Sequence, residues 1–308
     1  MKIRIVSISF IAILFSTIFP SVWIVTAKVA NGKETMIGLQ PGQNTTRVNS
    51  FSYNGVLSIS NNNRTSADPQ IDISGNNTYV VWSDESPGNP DIFFTKSTDG
   101  GNTFSGKPIN LSNNSGNSVY PKIALYGNTS YVVWEDNSTG NFDILLKKST
   151  DGGNTFSDKP INLSKNKGNS SDPEVFSDER NDIFVVWDDD SPGNADIFFT
   201  KSTDGGETFS KPVNLSNNIR GSFDPALTIS KNHIFVAWDD DSPGNADILF
   251  TKSTDRGNSF STKPINLSKN VGRSLYPDVA ISRSNNSYII WSDDTPGNYE
   301  VFLLRNVQ

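Results

Sequence analysis

The stretch STDGGNTF at residues 97–104 recurs almost unchanged three more times in this chain. The later copies are STDGGNTF at 149–156, STDGGETF at 202–209 and STDRGNSF at 253–260. Asp followed by Gly is typical of a tight turn, because Asp oxygens accept backbone N–H hydrogen bonds and Gly adopts positive φ without strain. A turn repeated at a near-constant interval indicates a fold built from repeated units.

A second motif repeats in register with this turn. It is an apolar run ending in Trp, with Asp two residues later, as in VVWSD around Trp82. The five copies are 51 to 53 residues apart and contain Trp82, Trp134, Trp187, Trp238 and Trp291. Each unit reads as four short strands joined by polar turns, with no helical apolar period. The sequence therefore predicts an all-β fold, a five-bladed β-propeller of four-stranded blades whose core buries the Trp side chains.

The fifth unit ends after its third strand, YEVFLLRN. Residues 51–60, FSYNGVLSIS, resemble the fourth strands of the other units, such as FSGKPINLS at 104–112. We therefore expect the N-terminal strand to close the last blade by pairing with roughly residues 299–305, which would protect an open sheet edge.

The repeated turn matches Ser-x-Asp-x-Gly-x-x-aromatic, the pattern of the Asp-box or bacterial neuraminidase repeat. Residues 51–308 resemble Asp-box propellers of the sialidase-like superfamily. Turn chemistry predicts a structural role for Asp99, Asp151, Asp204 and Asp255, as acceptors of backbone N–H hydrogen bonds, and predicts that the turn Phe packs back on the blade. The resemblance implies that the turns lie opposite the active site. It specifies function less, because such propellers serve in sialidases, other glycoside hydrolases, sorting receptors and photosystem assembly factors.

The N-terminal segments and the composition limit the location and the chemistry. Residues 1–27 read as a signal peptide or an uncleaved anchor, and residues 28–50 as a flexible stalk. We expect an extracellular protein, secreted or anchored at the cell surface, and a monomer. The chain has no Cys, one His and a net charge of -7, which argues against Cys or zinc chemistry and against nucleic acid as a partner. We expect the protein to associate with a membrane only through the N-terminal anchor.

The loops between the second and third strands are acidic. Each includes the Asp two residues after Trp, and two of them hold the triplets Asp188, Asp189, Asp190 and Asp239, Asp240, Asp241. Clustered carboxylates suit Ca²⁺, so these six residues are candidate metal ligands and Ca²⁺ a candidate cofactor. The alternative is that each Asp caps its own turn while the others are solvated.

A second set of loops, between blades, differs from repeat to repeat. We expect its side chains to ring the mouth of the central channel. Candidate ligand-binding residues are Arg64, Tyr120, Lys122, Glu174, Arg220 and Tyr276. Tyr120, Glu174 and Tyr276 are also candidate catalytic residues.

Three functions remain open. The regular repeats favour a non-catalytic binding module for a glycan or a cell-surface protein. One alternative is a sialidase-like or other glycoside hydrolase, although the Arg of the sialidase Arg-Ile-Pro motif is replaced by Ala67, Val119, Ser171, Phe223 or Leu275. The third is a structural propeller stabilised by Ca²⁺.

Overall fold

The computed structural model describes residues 25–30, 33–38, 56–104, 106–282 and 286–306. Within these ranges every helix or strand assignment is a β-strand. The chain divides into two compact units, Met1–Leu57 and Ser58–Gln308. In the described ranges, no helix has the length and apolar character to cross a membrane.

The first unit contains one antiparallel hairpin. Its strands are β1 (Val25–Ala30) and β2 (Lys33–Gly38), with Ala30 opposite Lys33. The two residues between them in the sequence are Asn31 and Gly32, a dipeptide that favours tight hairpins. The hairpin thus falls partly within the segment predicted as a flexible stalk. The rest of the predicted signal and stalk lies outside the described residues.

The second unit contains five consecutive antiparallel sheets, here called blades one to five. Four have four strands, and blade five has three among the described residues. In chain order the strands are β3 (Ser66–Ser74), β4 (Asn77–Asp84), β5 (Asp91–Ser97) and β6 (Ile109–Asn110) in blade one; β7 (Ser118–Tyr126), β8 (Thr129–Asp136), β9 (Asp143–Ser149) and β10 (Ile161–Asn162) in blade two; β11 (Ser170–Ser177), β12 (Ile183–Asp189), β13 (Asp196–Ser202) and β14 (Val213–Asn214) in blade three; β15 (Ser222–Ser230), β16 (His233–Asp240), β17 (Asp247–Ser253) and β18 (Ile265–Asn266) in blade four; and β19 (Ser274–Ile281), β20 (Ser287–Asp293) and β21 (Glu300–Arg305) in blade five.

The second strand of each inner blade is buried on both faces. In β12 every residue from Ile183 to Asp189 is buried, and β8 and β16 follow the same pattern apart from their first residue. A continuous apolar run suits a strand packed between neighbouring sheets. The five repeated Trp side chains are at most 7% exposed, as the sequence predicts.

The first strand of every blade has a bulge at the Pro that recurs in each repeat. In blade three the pairing shifts between Ser171 and Glu174, so that Asp172 and Pro173 occupy the bulge. Pro has no N–H to donate, and a bulge is one of the few places within a sheet where that loss costs little. Because Ser171 pairs with Asp188, the bulge lies near the end of the blade where β12 finishes.

The repeated Asp-Gly turns, at 97–104, 149–156, 202–209 and 253–260, lie at the other end of the blades. Gly100 N donates to Asn76 O in the hairpin between β3 and β4. Within the first turn, Asp99 accepts hydrogen bonds from Thr103 N at 2.9 Å and Thr103 Oγ1 at 2.6 Å. A hydrogen bond from Ser97 Oγ, together with those from Thr103, lowers the pKa of Asp99 to about 2. Asp151, Asp204 and Asp255 accept hydrogen bonds from the corresponding backbone N–H groups of their own turns, so all four Asp side chains lie where they stabilise a turn.

The Asp-Gly turns also connect neighbouring blades. Lys96 Nζ of blade one donates to Gly152 O at 2.6 Å and to Asn154 Oδ1 at 2.7 Å in the turn of blade two. Phe156 of that turn packs edge-on against Phe94 of blade one, with the ring centroids 4.9 Å apart. The expectation that the turn Phe packs on its own blade is therefore wrong for Phe156, because the turn reaches across the junction.

Arg256, which replaces a Gly in the fourth turn, has a contact of its own. Its φ is 61°, and its guanidinium binds the carboxylates of both Asp178 and Asp182 in blade three and donates to Lys231 O at 3.0 Å. It also lies 5.7 Å from the ring centroid of Phe184. The substitution thus adds a cross-blade link where the other repeats have Gly.

Four hydrophobic clusters join successive blades. In the cluster between blades one and two, Ile123 and Leu125 of β7 pack against residues including Val81 and Phe94. The corresponding residues of β3, Ile71 and Ile73, are 62% and 61% exposed. Among the described residues, no cluster joins blade five to blade one.

The predicted closing strand is not seen in the described part of the chain. Residues 51–55 lie outside the described ranges, and Val56 to Ser60 form no strand. In β21, Val301 and Leu303 are 75% and 63% exposed. Closure of the last blade therefore stays a prediction.

Candidate functional site: an acidic axial pocket

The Asp two residues after each Trp is the centre of an internal hydrogen-bond network. Asp240 Oδ2 accepts hydrogen bonds at 2.8 Å from Trp238 Nε1, Ser222 Oγ and Asn218 Nδ2, and Oδ1 accepts one from Ser242 N. The same three kinds of donor, the Trp Nε1, the preceding Asn and the N–H of the following Ser or Thr, bind the equivalent Asp in the other blades. These residues are Asp84, Asp136, Asp189 and Asp293. These carboxylates hold the blade together at its loop end.

The two acidic triplets do not form compact metal sites. Neighbouring strand residues point to opposite faces of a sheet, so Asp188 and Asp189 diverge. Asp189 binds Trp187 Nε1, whereas Asp190 Oδ1 accepts from Asn169 N in the loop. The described residues contain no group of three or more Asp, Glu or His arranged to hold a metal ion. This geometry gives no support to calcium binding by Asp188–Asp190 or Asp239–Asp241.

The first strands of all five blades line one pocket of about 480 Å³. Because each blade contributes side chains to it, the pocket lies on the axis around which the blades are arranged. Its polar and aromatic lining residues are Asp68, Gln70, Tyr120, Lys122, Asp172, Glu174, Asp224, Tyr276 and Asp278.

Four of the six predicted ligand-binding residues meet in this pocket, namely Tyr120, Lys122, Glu174 and Tyr276. Lys122 Nζ lies 2.5 Å from Glu174 Oε1, which links blades two and three. Burial raises the pKa of Glu174, and the Lys122 ammonium opposes this rise. Arg64 and Arg220 are exposed and do not line the pocket. Both lie in loops before the first strand, outside the ring of bulges.

The bulge residues have an unusual backbone. Asp68, Tyr120, Asp172, Asp224 and Tyr276 all have φ between 49° and 56°. Left-handed φ is uncommon outside Gly, Asn and Asp, and for a bulky Tyr it is an outlier that the bulge imposes on every blade. The side chains of Tyr120 and Tyr276 are 49% and 64% exposed at the pocket.

Each bulge residue lies beside one residue of the second strand. In blades three and four both members are Asp, giving the pairs Asp172–Asp188 and Asp224–Asp239, in which the two carboxyl groups shift each other's pKa. Two neighbouring carboxyl groups can share a hydrogen bond only if one of them holds a proton. In the other blades the pair is Asp68–Ser83, Tyr120–Glu135 or Tyr276–Ser292.

Burial and like charge keep protons on the inner carboxyl groups. Asp188, Asp239 and Glu135 are 6%, 4% and 5% exposed. Burial, reinforced by Asp172 and Glu135, raises the pKa of Asp188 to about 9. Burial and Asp224 raise that of Asp239 to about 8, and burial raises that of Glu135 to about 7. Burial also raises the pKa values of Asp172 and Asp224, which line the pocket.

Sequence reasoning placed these acids near the channel but did not select most of them. Asp68, Asp172, Asp224 and Asp278 were passed over, and Asp188 and Asp239 were assigned to metal loops instead. The sequence feature that could have selected them is the Asp before the Pro of the first strand, together with the acidic residue that directly follows the Trp. These two residues lie side by side because of the bulge, and the register of the bulge cannot be read from a single repeat.

Comparisons with known proteins show the fold. No family model matches the sequence, and no curated protein is significantly similar to it. Among solved structures, the chain is similar to an ulvan lyase of polysaccharide lyase family PL25, with TM-score 0.58 and 11% identity over 79% of this chain and 70% of that one. It is also similar to a protein of unknown function from Dyadobacter fermentans, with TM-score 0.56 and 13% identity over 79% of each chain.

A further similar structure is a mutant Trypanosoma rangeli sialidase with trans-sialidase activity, at TM-score 0.49 and 14% identity over 79% of this chain and 54% of that one. At these identities the comparisons concern architecture alone. The chain has an all-β fold of five consecutive antiparallel sheets, and it shares its fold with the ulvan lyase and the Dyadobacter fermentans protein.

Proposed function

We propose that this protein is an exported, carbohydrate-active propeller that hydrolyses glycosidic bonds in its axial pocket. The observation that carries the proposal is the pair of neighbouring carboxyl groups Asp172 and Asp188, whose pKa values are both raised by burial and of which Asp172 lines the pocket. Glycoside hydrolysis needs a protonated carboxyl group and an ionised one in the same site. Environments that separate the proton affinities of neighbouring acids mark such roles.

We assign the Asp172–Asp188 pair as the general acid. Asp188 holds the proton of the pair and passes it to Asp172, which delivers it to the glycosidic oxygen as the bond from that oxygen to the anomeric carbon breaks. Water attacks the anomeric carbon, and a second carboxylate takes the proton that water loses. We assign this role to Asp68, which occupies the matching bulge of blade one and accepts a hydrogen bond from Ser83 Oγ at 3.3 Å. Both side chains line the same pocket.

The charge of the pocket argues against sialic acid as the substrate. The lining contains five acidic side chains and no Arg, and its one cation, Lys122, is bound to Glu174. An anionic sugar would meet repulsion without the bidentate contacts that Arg provides. The Asp-box resemblance therefore applies to the fold, while the site favours sugars without negative charge. The exposed rings of Tyr120 and Tyr276 suit packing against sugar rings.

The test is a hydrolysis assay of the full chain on neutral aryl glycosides and polysaccharides between pH 4 and 8. Asp172→Asn should lower kcat roughly 10²- to 10⁴-fold on substrates with poor leaving groups. The loss should be much smaller on dinitrophenyl glycosides, whose leaving group needs no protonation. Asp158→Asn, at an exposed turn position, is the matched control and should leave the rates unchanged. Equal rates for Asp172→Asn and the original protein would refute the assignment.

A non-catalytic binding propeller is the second candidate. Blades three and four repeat the same carboxyl pair and the same loop, DDDSPGNAD, so two nearly equivalent sites exist where an enzyme needs one. Such regularity favours multivalent binding. Glycan binding without turnover of any glycoside in the same panel would support this candidate over hydrolysis.

A further inference from the structure

We propose that Glu135 of blade two is a positioning residue that holds Asp172 in the axial pocket and makes blade three, rather than blade four, the source of the catalytic proton. This role rests on the hydrolysis proposed above and adds to it a residue that touches no substrate. Blades three and four both have an Asp before the Pro and an Asp after the Trp, and hydrolysis needs only one such pair. A contact from outside the pair is what distinguishes the two.

The hydrogen bond that carries the proposal crosses from blade two to blade three. Glu135 Oε1 accepts a hydrogen bond from Asp172 N at 2.8 Å, and Glu135 is 5% exposed. Asp172 lies in the bulge of β11, outside the residues that pair with β12. Its N–H is therefore bound by the neighbouring blade instead of by its own, and the direction of the Asp172 side chain depends on where Glu135 lies.

The residue directly after the Trp differs in length between the blades. In chain order the five residues are Ser83, Glu135, Asp188, Asp239 and Ser292. Asp188 Oδ1 is buried and accepts no hydrogen bond from the described residues, so this oxygen does not bind Asp224 N of blade four. Asp239 Oδ1 accepts a hydrogen bond from Tyr276 N of blade five, but at 3.3 Å. The extra methylene of Glu thus gives Asp172 the shortest of these contacts.

Glu135 also places a negative charge beside the acid pair. Burial raises its pKa to about 7 and that of Asp188 to about 9, so Glu135 ionises while the pair still holds its proton. Its charge then adds to the rise that burial and Asp172 cause in the pKa of Asp188. The titratable groups around Glu135 come from three blades and are Asp68, Tyr120, Asp172 and Asp188. Lys122, the one cation in the pocket lining, acts on Asp172 against the effect of burial.

The substitution Glu135→Asp tests the reach of the side chain. It keeps the charge and removes one methylene, and blades three and four already have Asp at this position. We expect kcat to fall roughly 10- to 100-fold on glycosides with poor leaving groups, with little change in KM, because the acid is misplaced. On dinitrophenyl glycosides, which need no acid, the loss should be less than about threefold.

The substitution Glu135→Gln tests the charge. It keeps the length and the carbonyl acceptor, so kcat at pH 5 should stay within about threefold of the original value. The alkaline limb of the kcat/KM profile should move to lower pH by at least roughly half a unit, because the acid pair loses its proton more readily without the neighbouring charge. A merely structural role would leave this limb where it is.

The amide proton of Asp172 reports on the hydrogen bond without any substrate. Its NMR resonance should shift with an apparent pKa of about 7 as Glu135 ionises, and this step should be absent in Glu135→Gln. Asp158→Asn is the control in every assay. An Asp172 amide that does not respond near pH 7, or unchanged kcat on all substrates in Glu135→Asp, would overturn the inference. Asp224→Asn should cost at least tenfold less in kcat than Asp172→Asn, and equal losses would also overturn it.

The outcomes separate this inference from the proposed function. If the original protein hydrolyses no glycoside, the proposed function fails, and the amide titration still decides whether Glu135 holds Asp172. If Asp172→Asn loses activity while Glu135→Asp does not, the proposed function stands and the role of Glu135 is refuted.

Discussion

At the scale of single residues, three neighbouring aspartates in blade four have three different roles. Asp239 is the buried partner of Asp224, with its pKa raised by burial, and Asp240 is the centre of the hydrogen-bond network around Trp238. Asp241 lies in the loop, partly exposed. Identical side chains diverge because strand geometry turns each one to a different environment. Charge density along the sequence was therefore a poor guide to a shared metal site.

Asp240→Ala tests the hydrogen-bond network. The change leaves Trp238 Nε1, Ser222 Oγ and Asn218 Nδ2 without their acceptor in a buried position. We expect the free energy of unfolding to fall by about 3–5 kcal/mol, measured by denaturant titration. Asp241→Ala is the matched control and should change it by no more than about 0.5 kcal/mol. Similar losses in both variants would show that the network does not carry this stability.

At the scale of elements, the Asp-Gly turn is a clamp between blades as well as a hairpin connection. Its second Gly makes this contact possible. A Cβ on Gly153 would lie 2.5 Å from Phe94 Cζ of the preceding blade. Gly101, at the same place in blade one, has nothing closer than Thr78 Oγ1 at 3.8 Å, because no described residue packs there from a preceding blade.

The two glycines form a matched pair of substitutions. Both have positive φ, 85° at Gly101 and 75° at Gly153, so Ala at either position should cost about 1–2 kcal/mol through the backbone. Gly153→Ala should lose about 1–3 kcal/mol more, because Phe94 must move. Thermal and denaturant unfolding of the two variants measure the difference. Equal losses would indicate that another part of the protein packs against Gly101.

At the scale of the whole molecule, two sets of carboxyl groups change the stability of the fold in opposite directions as the pH rises. The axial acids have pKa values raised to about 9 for Asp188 and about 8 for Asp239, so the native state binds more protons than the unfolded state above their ordinary value of 3.8. Their contribution to stability is complete below that value and is lost as pH rises to 8 or 9. Asp99 and Asp255 have pKa values lowered to about 2, so their contribution to stability is lost as the pH falls from 3.8 towards 2.

Stability should therefore be greatest at roughly pH 4–5 and should fall on both sides. Melting temperatures recorded from pH 2 to 10 check this profile. Asp188→Asn together with Asp239→Asn should flatten the decline above pH 6, because Asn does not ionise, and should leave the acid side unchanged. A melting temperature that rises steadily from pH 5 to 9 in the original protein would contradict the assignment of protons to these pairs.

The predictable part of the fold came from local repetition. The Trp spacing indicated five units and the turn pattern indicated hairpins, and both are found in the strands. Ring closure could not be checked in this way, because it concerns residues 51–55 and contacts between blades at opposite ends of the chain. The packing of Phe156 on Phe94 was missed because residues of the same repeat look like natural partners in sequence.

The amino-acid order alone was enough for the strands, the buried Trp and the turn chemistry, because each depends on residues within a few positions of one another. The pocket needed the tertiary structure. Asp172 and Asp188 are 16 positions apart and meet only because a Pro bulge shifts their register. Lys122 and Glu174 belong to different blades. Proton affinity depends on burial and on charges brought together by folding, so the chemistry of this site arises between repeats that individually look alike.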